Sequence, residues 1–510
     1  MHPTRLLVRS FVVLVAAGMT SLGGCAKSNE APPATAAPQA DGKIPITTAS
    51  EDARKEYLQG RSLAEKLLAQ DSIAHFDRAI ALDPGFALAE LGRANAAPTT
   101  REFFEHMRKA ASLAGKVSNG ERLLILATEA GGQGNAVAQK NYLEQLVAAY
   151  PQDERAHFAL GGYYFGQQDF PQAVEHYKKA TELAPTYSPA YNILGYAFRQ
   201  EGDYANAEQA FKRYIELIPN DPNPYDSYGE LLLKMGKFDD SIAQYRKALA
   251  IDPNFMASHL GIAADLMYKG KPAESDAELQ QIGKKARSDG DTRTALYGMT
   301  VVDVDRGRMN EALKELDRQY ALGEKTNDVA AMAGDLQSKG TILLEMGKAA
   351  EARALFDRAL KTMEDSDLSQ QIKDNARVFQ HYNLARVALA KKDATTAKSE
   401  AAAFREGAEA SKNPFQIRQA HELAGTIALQ EKQYDTAIAE LQQASLQNPY
   451  NLYRLGQAYQ GKGDTTQARS FMAKAAEFNS LPQLNYAFIR ARAERLAGGP
   501  NAVAATSGRK

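Results

Sequence analysis

The chain has 510 residues, enough for several ordinary domains or for one long repeat array. A formal charge of −1 supplies no basic face for nucleic acid, and 44% hydrophobic with 24% charged residues is the composition of a folded soluble protein. The single cysteine, Cys25, excludes an intramolecular disulfide and any multi-cysteine metal site.

The front of the chain has three zones: a basic start at Arg5 and Arg9, an apolar run around Phe11–Gly18, and Leu22-Gly23-Gly24-Cys25. The apolar run is far short of the ~20 residues that span a bilayer, so residues 1–24 read as a signal peptide. Its last four residues, an aliphatic one, two small ones and Cys, resemble the bacterial lipobox. The resemblance implies cleavage after Gly24 and acyl chains on Cys25, which would hold the exported protein at a membrane. Ala26 stands where relatives retained in the inner membrane carry Asp, which points to the outer membrane facing the periplasm. Residues 25–50, rich in Ala and Pro, read as the lipidated cysteine and a disordered tether.

Behind the tether the sequence repeats. Blocks starting at Glu154, Ser188 and Pro222 follow one another at intervals of 34 residues. Position 8 reads Gly161, Gly195, Gly229, and position 11 reads Tyr164, Phe198, Leu232. Position 20 reads Ala173, Ala207, Ser241; position 24 reads Tyr177, Phe211, Tyr245; position 32 reads Pro185, Pro219, Pro253. Small residues at 8 and 20 let two helices approach closely, and the aromatics are expected to fill the space between one helix pair and the next. Gly202, Gly236 and Gly270 end first helices, Asp169, Asp203 and Asp464 cap second helices, and each proline lies just beyond a second helix.

These positions resemble the tetratricopeptide repeat. The resemblance implies an all-α, right-handed α-solenoid of about twelve tetratricopeptide helix pairs with a C-terminal capping helix. The best copies lie in a first array at 51–289. Longer, degenerate copies occupy 290–417, with landmarks at Gly307, Gly347 and Ala385. Regular copies return at 418–497, ending in a closing helix over Leu484–Ala497 with Arg490, Arg492, Glu494 and Arg495 toward water. Residues 498–510 read as a disordered tail.

No constellation for chemistry stands out. His157, His259, His381 and His421 share repeat position 4, a packing position, and read as half-buried rings. Gly131-Gly132-Gln133-Gly134 has neither a preceding strand nor a following Lys-Ser/Thr, so it reads as a turn between helices. The expectation is no enzyme, no cofactor, no metal and no small-molecule substrate.

A solenoid of this kind carries a concave face lined by first helices, at repeat positions 2, 5, 9, 12 and 13. The candidate partner-binding residues there are Phe158, Phe165, Asn192, Tyr196, Arg199, Asp226 and Glu230, with a second patch at Tyr450, Tyr453 and Gln457. Aromatic rings on a face usually open to water point to a protein partner. The Lys/Asn clamp of chaperone-binding relatives is missing: Phe158 and Gly162 stand in its place. The expected function is a non-enzymatic scaffold or adaptor on the bacterial envelope, holding a protein or extended peptide for outer-membrane assembly, secretion or export. The alternative is a glycan- or nutrient-binding outer-membrane lipoprotein, against which stand the absence of tryptophan and of a large irregular lobe.

Overall fold

A computed structural model describes residues 42–66 and 68–497. Cys25, the leader, the tether up to residue 41 and the tail at 498–510 lie outside the described residues. Within them are 25 α-helices and one short 3-10 turn, and no strand. Consecutive helices pack in pairs, from α1 (Glu51–Glu65) with α2 (Ala69–Leu82) to α23 (Pro449–Lys462) with α24 (Thr465–Ala476). The last helix, α25 (Leu484–Ala497), follows the twelfth pair alone. The α-solenoid expected from the repeat is the architecture found.

The repeat residues do what their chemistry requires. In the pair α9 (Ser188–Glu201) and α10 (Tyr204–Leu217), a Cβ on Gly195 would lie 2.8 Å from the buried Phe211 ring. Gly161 stands in the same relation to Tyr177. The helices touch there because one side chain is missing. Gly202, Gly236 and Gly270 have φ of +81°, +73° and +71°, the left-handed conformation that only glycine adopts without strain. Asp169, Asp203 and Asp464 accept the backbone N–H groups of Gln172, Asn206 and Gln467, so each caps its second helix.

Two compact units divide the chain, Met1–Leu231 with Ala250–Asp252, and Leu232–Leu249 with Pro253–Lys510. In the first unit, residues 43–50 depart from the expected disordered tether. Ile44 N–H donates to Asp153 over 2.8 Å, and Lys43 Nζ donates to the Gln152 carbonyl over 2.8 Å and to Glu154 over 2.5 Å. Thr47 gives both its N–H and its hydroxyl to Glu121, at 2.7 and 2.6 Å, and the Thr48 hydroxyl donates to Asp83. The segment is held because its backbone N–H, hydroxyl and ammonium groups meet the carboxylates of Asp83, Glu121, Asp153 and Glu154; composition alone hides that.

In the second unit the helices from α15 (Asp289–Asp305) to α21 (Pro414–Gln430) run 16 to 21 residues, against 13 or 14 between 154 and 251. The closing helix α25 packs not only on α24 but also on α15 and α23. Its Tyr486, Phe488 and Ile489 share one core with Val301 and Val304 of α15 and Ile342 of α17 (Val329–Glu345). Arg490 therefore does not face water as expected. It makes two hydrogen bonds to Asp305, of 2.8 and 2.6 Å.

Candidate partner-binding face

Of the residues singled out on first helices of the first unit, five come together on α9 and α11 (Pro222–Lys234). Arg199 NH1 lies 3.1 Å from Glu230, and its guanidinium sits 4.7 Å from the centre of the Tyr196 ring. The Tyr196 phenol is pushed up first by burial and then by the nearby Glu230 and Asp226 carboxylates, so it stays protonated. Asn192, one turn before Tyr196, is 2% exposed, and Asp226 is wholly buried. Asn223 joins them: its Nδ2 donates to the Tyr214 hydroxyl oxygen over 2.6 Å.

Phe158 and Phe165 go elsewhere. Both lie on α7 (Glu154–Gly166), where the half-buried Phe158 packs between Tyr177 and Tyr187, 5.7 and 5.5 Å between ring centres. Phe165 meets Phe170 edge-on at 5.5 Å. The expected exposed aromatic face is corrected on this point. Tyr196 is 1% and Phe165 7% exposed, because each finds a ring on the adjoining second helix to pack against. What remains on α9 and α11 is polar and deeply set. The side-chain carbonyl oxygens of Asn192 and Asn223 and the Nε of Arg199 make no hydrogen bond among the described residues.

The second patch is likewise engaged within its own unit. Tyr450 donates its hydroxyl to Glu345 over 2.8 Å, and Tyr453 packs at right angles to Tyr450. Beside them, Glu422 accepts from Tyr382, Asn448, Asn451 and Arg454 at 2.9 to 3.1 Å. This hub was missed in the sequence: the four donors span residues 382 to 454, and none looks unusual alone.

The histidines prove to be paired rather than merely packed. His381 faces Glu400 at 2.6 Å and His421 faces Glu440 at 2.7 Å, both across a helix pair, and His259 faces Glu278 in the same way. No group of three or more His, Cys, Asp or Glu side chains converges on a metal-sized site among the described residues. No described helix is long and apolar enough to cross a membrane.

Family models described as tetratricopeptide repeat match residues 126–188, 163–222, 222–255 and 449–480, and one described as tetratricopeptide repeat-like domain matches 253–376. A search of curated proteins by sequence finds no match. Among solved structures, yeast Tom70 is 16% identical, with 78% of this chain and 93% of that one covered, at a TM-score of 0.45. A thermophilic tetratricopeptide protein of Thermus thermophilus, TTC0263, is 25% identical over 36% of this chain and 95% of its own, at 0.30. PilF of Pseudomonas aeruginosa is 17% identical over 50% of this chain and 97% of its own, also at 0.30. The repeat matches and the helix-pair packing agree, and the chain is built of tetratricopeptide repeats.

Proposed function

We propose that the chain is a non-catalytic scaffold that grips a protein partner through an extended segment laid along α9 and α11. The observation that carries this reading is the set of unsatisfied buried polar atoms, Asn192 Oδ1, Asn223 Oδ1 and Arg199 Nε, gathered on two successive first helices. A buried polar atom without a partner costs about 1–3 kcal/mol, which a polypeptide backbone repays by supplying N–H and C=O groups at regular intervals. The Arg199–Glu230 pair adds fixed charge that selects among such segments. The lipobox-like Leu22-Gly23-Gly24-Cys25 supports placing this scaffold on the bacterial envelope, acylated at Cys25.

Crosslinking in membranes followed by affinity capture tests the binding face. Asn192→Leu with Asn223→Leu is expected to lose the captured partner while keeping the helical melting curve. Retention of the same partner set by that variant sinks the proposed site. For the anchor, Cys25→Ser is expected to move the protein from the membrane pellet to the soluble fraction.

A further inference from the structure

Five histidines face a carboxylate on the other helix of their pair: His75 meets Glu56, His106 meets Glu90, and His259, His381 and His421 meet Glu278, Glu400 and Glu440. In the last three the acid follows the histidine by 19 residues. The pair α7 with α8 (Phe170–Leu183) keeps that offset but replaces the acid. His157 Nδ1 lies 3.2 Å from His176 Nδ1, with the ring centres 5.5 Å apart. His157 Nε2 lies 3.1 Å from the Pro151 carbonyl, which can only accept, so this nitrogen carries the proton. Its Nδ1 is then an acceptor, and His176 Nδ1–H donates to it. The hydrogen bond needs at least one neutral ring.

We propose that the His157–His176 pair is an acid-sensitive joint that controls the docking of residues 43–48 on the first unit. When both rings are protonated, two cations face each other across 3.2 Å and the shared hydrogen bond is lost. In the other rungs a carboxylate stands where the second ring stands here, so no two imidazoles face each other. Charged groups of both signs surround the pair, and burial outweighs the carboxylates among them. Lys179 adds positive charge near His157, against Asp153, and Glu175 and Glu144 act on His176. Tyr164 stacks on His176 at 5.5 Å and holds Lys140 on its ring, 5.6 Å from the centre. Burial first, and then the neighbouring ring in the case of His176, depresses both imidazoles below the ordinary histidine value. For bases depressed in this way, stability is complete above the unfolded value and is lost as pH falls through the folded one.

The joint sits where the N-terminal segment is latched. The Pro151 carbonyl that receives His157 Nε2–H adjoins the Gln152 carbonyl that holds Lys43. Asp153, next along, both caps α7 through Arg155 and Ala156 N–H and accepts Ile44 N–H. Displacing the first turn of α7 from α8 thus moves three of the groups that fasten residues 43 and 44.

Hydrogen exchange of the full chain between pH 7.5 and 5, corrected for intrinsic rates, tests this. The wild-type chain is expected to lose protection in 43–48 and 151–166 as the pH falls, while 376–404, which carries His381–Glu400, holds. His176→Glu, which installs the acid found in the other rungs, is expected to abolish that loss. Should His176→Glu fold poorly at neutral pH, His176→Gln keeps a hydrogen-bond donor that cannot be protonated and serves in its place. A flat wild-type profile, or equal losses in the wild type and the folded variant, overturns the proposal.

Discussion

Arg490 and Asp305 lie 185 residues apart and are joined by two hydrogen bonds, with the Asp305 side chain only 4% exposed. Breaking a buried pair from one side strands the other charge, at a cost of ~3–5 kcal/mol. Arg490→Ala is therefore expected to lower the denaturant midpoint of the chain sharply. Arg490→Leu with Asp305→Leu, which removes both charges of the pair and releases only the part-exposed Glu494, is expected to recover most of that loss. Denaturant melts of the three proteins check both statements, and a double variant no better than Arg490→Ala means that the pair contributes more than charge balance.

Gly261 makes one of the tightest of the close helix contacts. A Cβ there would fall 2.2 Å from the Tyr245 ring, which is fully buried and has no room to retreat. Gly261→Ala is expected to cost about 1–3 kcal/mol through overpacking. Exchange should speed up around 238–285 and remain slow at 51–150. A uniform rise across the chain would show one cooperative body instead of repeats with partly independent stability.

Asp265 gives the second unit a pH dependence of its own. The side chain is wholly buried near Ser241, and burial pushes its carboxyl up to about 8. Between the ordinary value of 3.8 and about 8, the folded chain keeps a proton that the unfolded chain has released. Stability contributed here is present below that window and is lost as pH rises through it. Asp265→Asn is expected to raise the melting temperature at pH 8 and leave it nearly unchanged at pH 4. Thermal melts at the two pH values decide; a variant that melts lower at pH 8 refutes the assignment.

Glu121 holds the N-terminal segment and a helix start together. It completes a capping box with Ser118 at the start of α5 (Asn119–Gly132) and receives two hydrogen bonds from Thr47. Glu121→Ala is expected to destabilise α5 by about 0.5–2 kcal/mol, the usual cost of losing a cap. The Thr47 N–H, which Glu121 accepts, should exchange freely in that variant. Limited proteolysis near residue 45 offers an independent reading, with faster cleavage than in the wild type.

The repeat was legible because its packing is local. Gly195 meets Phe211 and Gly161 meets Tyr177, each 16 residues away, so one period of sequence contains both partners of each contact. The polar cluster was legible in part for the same reason: Tyr196, Arg199 and Glu230 lie on successive repeats at inward-facing positions. Position tells which face a side chain takes but not what covers it, so the burial of Tyr196 and Phe165 was missed. The histidine rungs carry a readable signal, the constant offset of 19, but a ring at position 4 signals bulk before it signals a partner. Arg490 and Asp305 left none. No period links them, and their meeting depends on how many helix pairs intervene.

The path of α25 also sets an order in time. Val301, Val304 and Ile342 are buried against Tyr486, Phe488 and Ile489, so this core lacks a wall until the last helix has been made. A chain growing from its N-terminus completes the pairs of the first unit while these apolar side chains still wait. Contacts across so many residues close slowly, because the loop entropy is spent before the contact returns anything. Throughout synthesis, and in any chain that stops short of residue 489, the second unit presents that unfinished apolar surface to whatever accompanies the nascent protein.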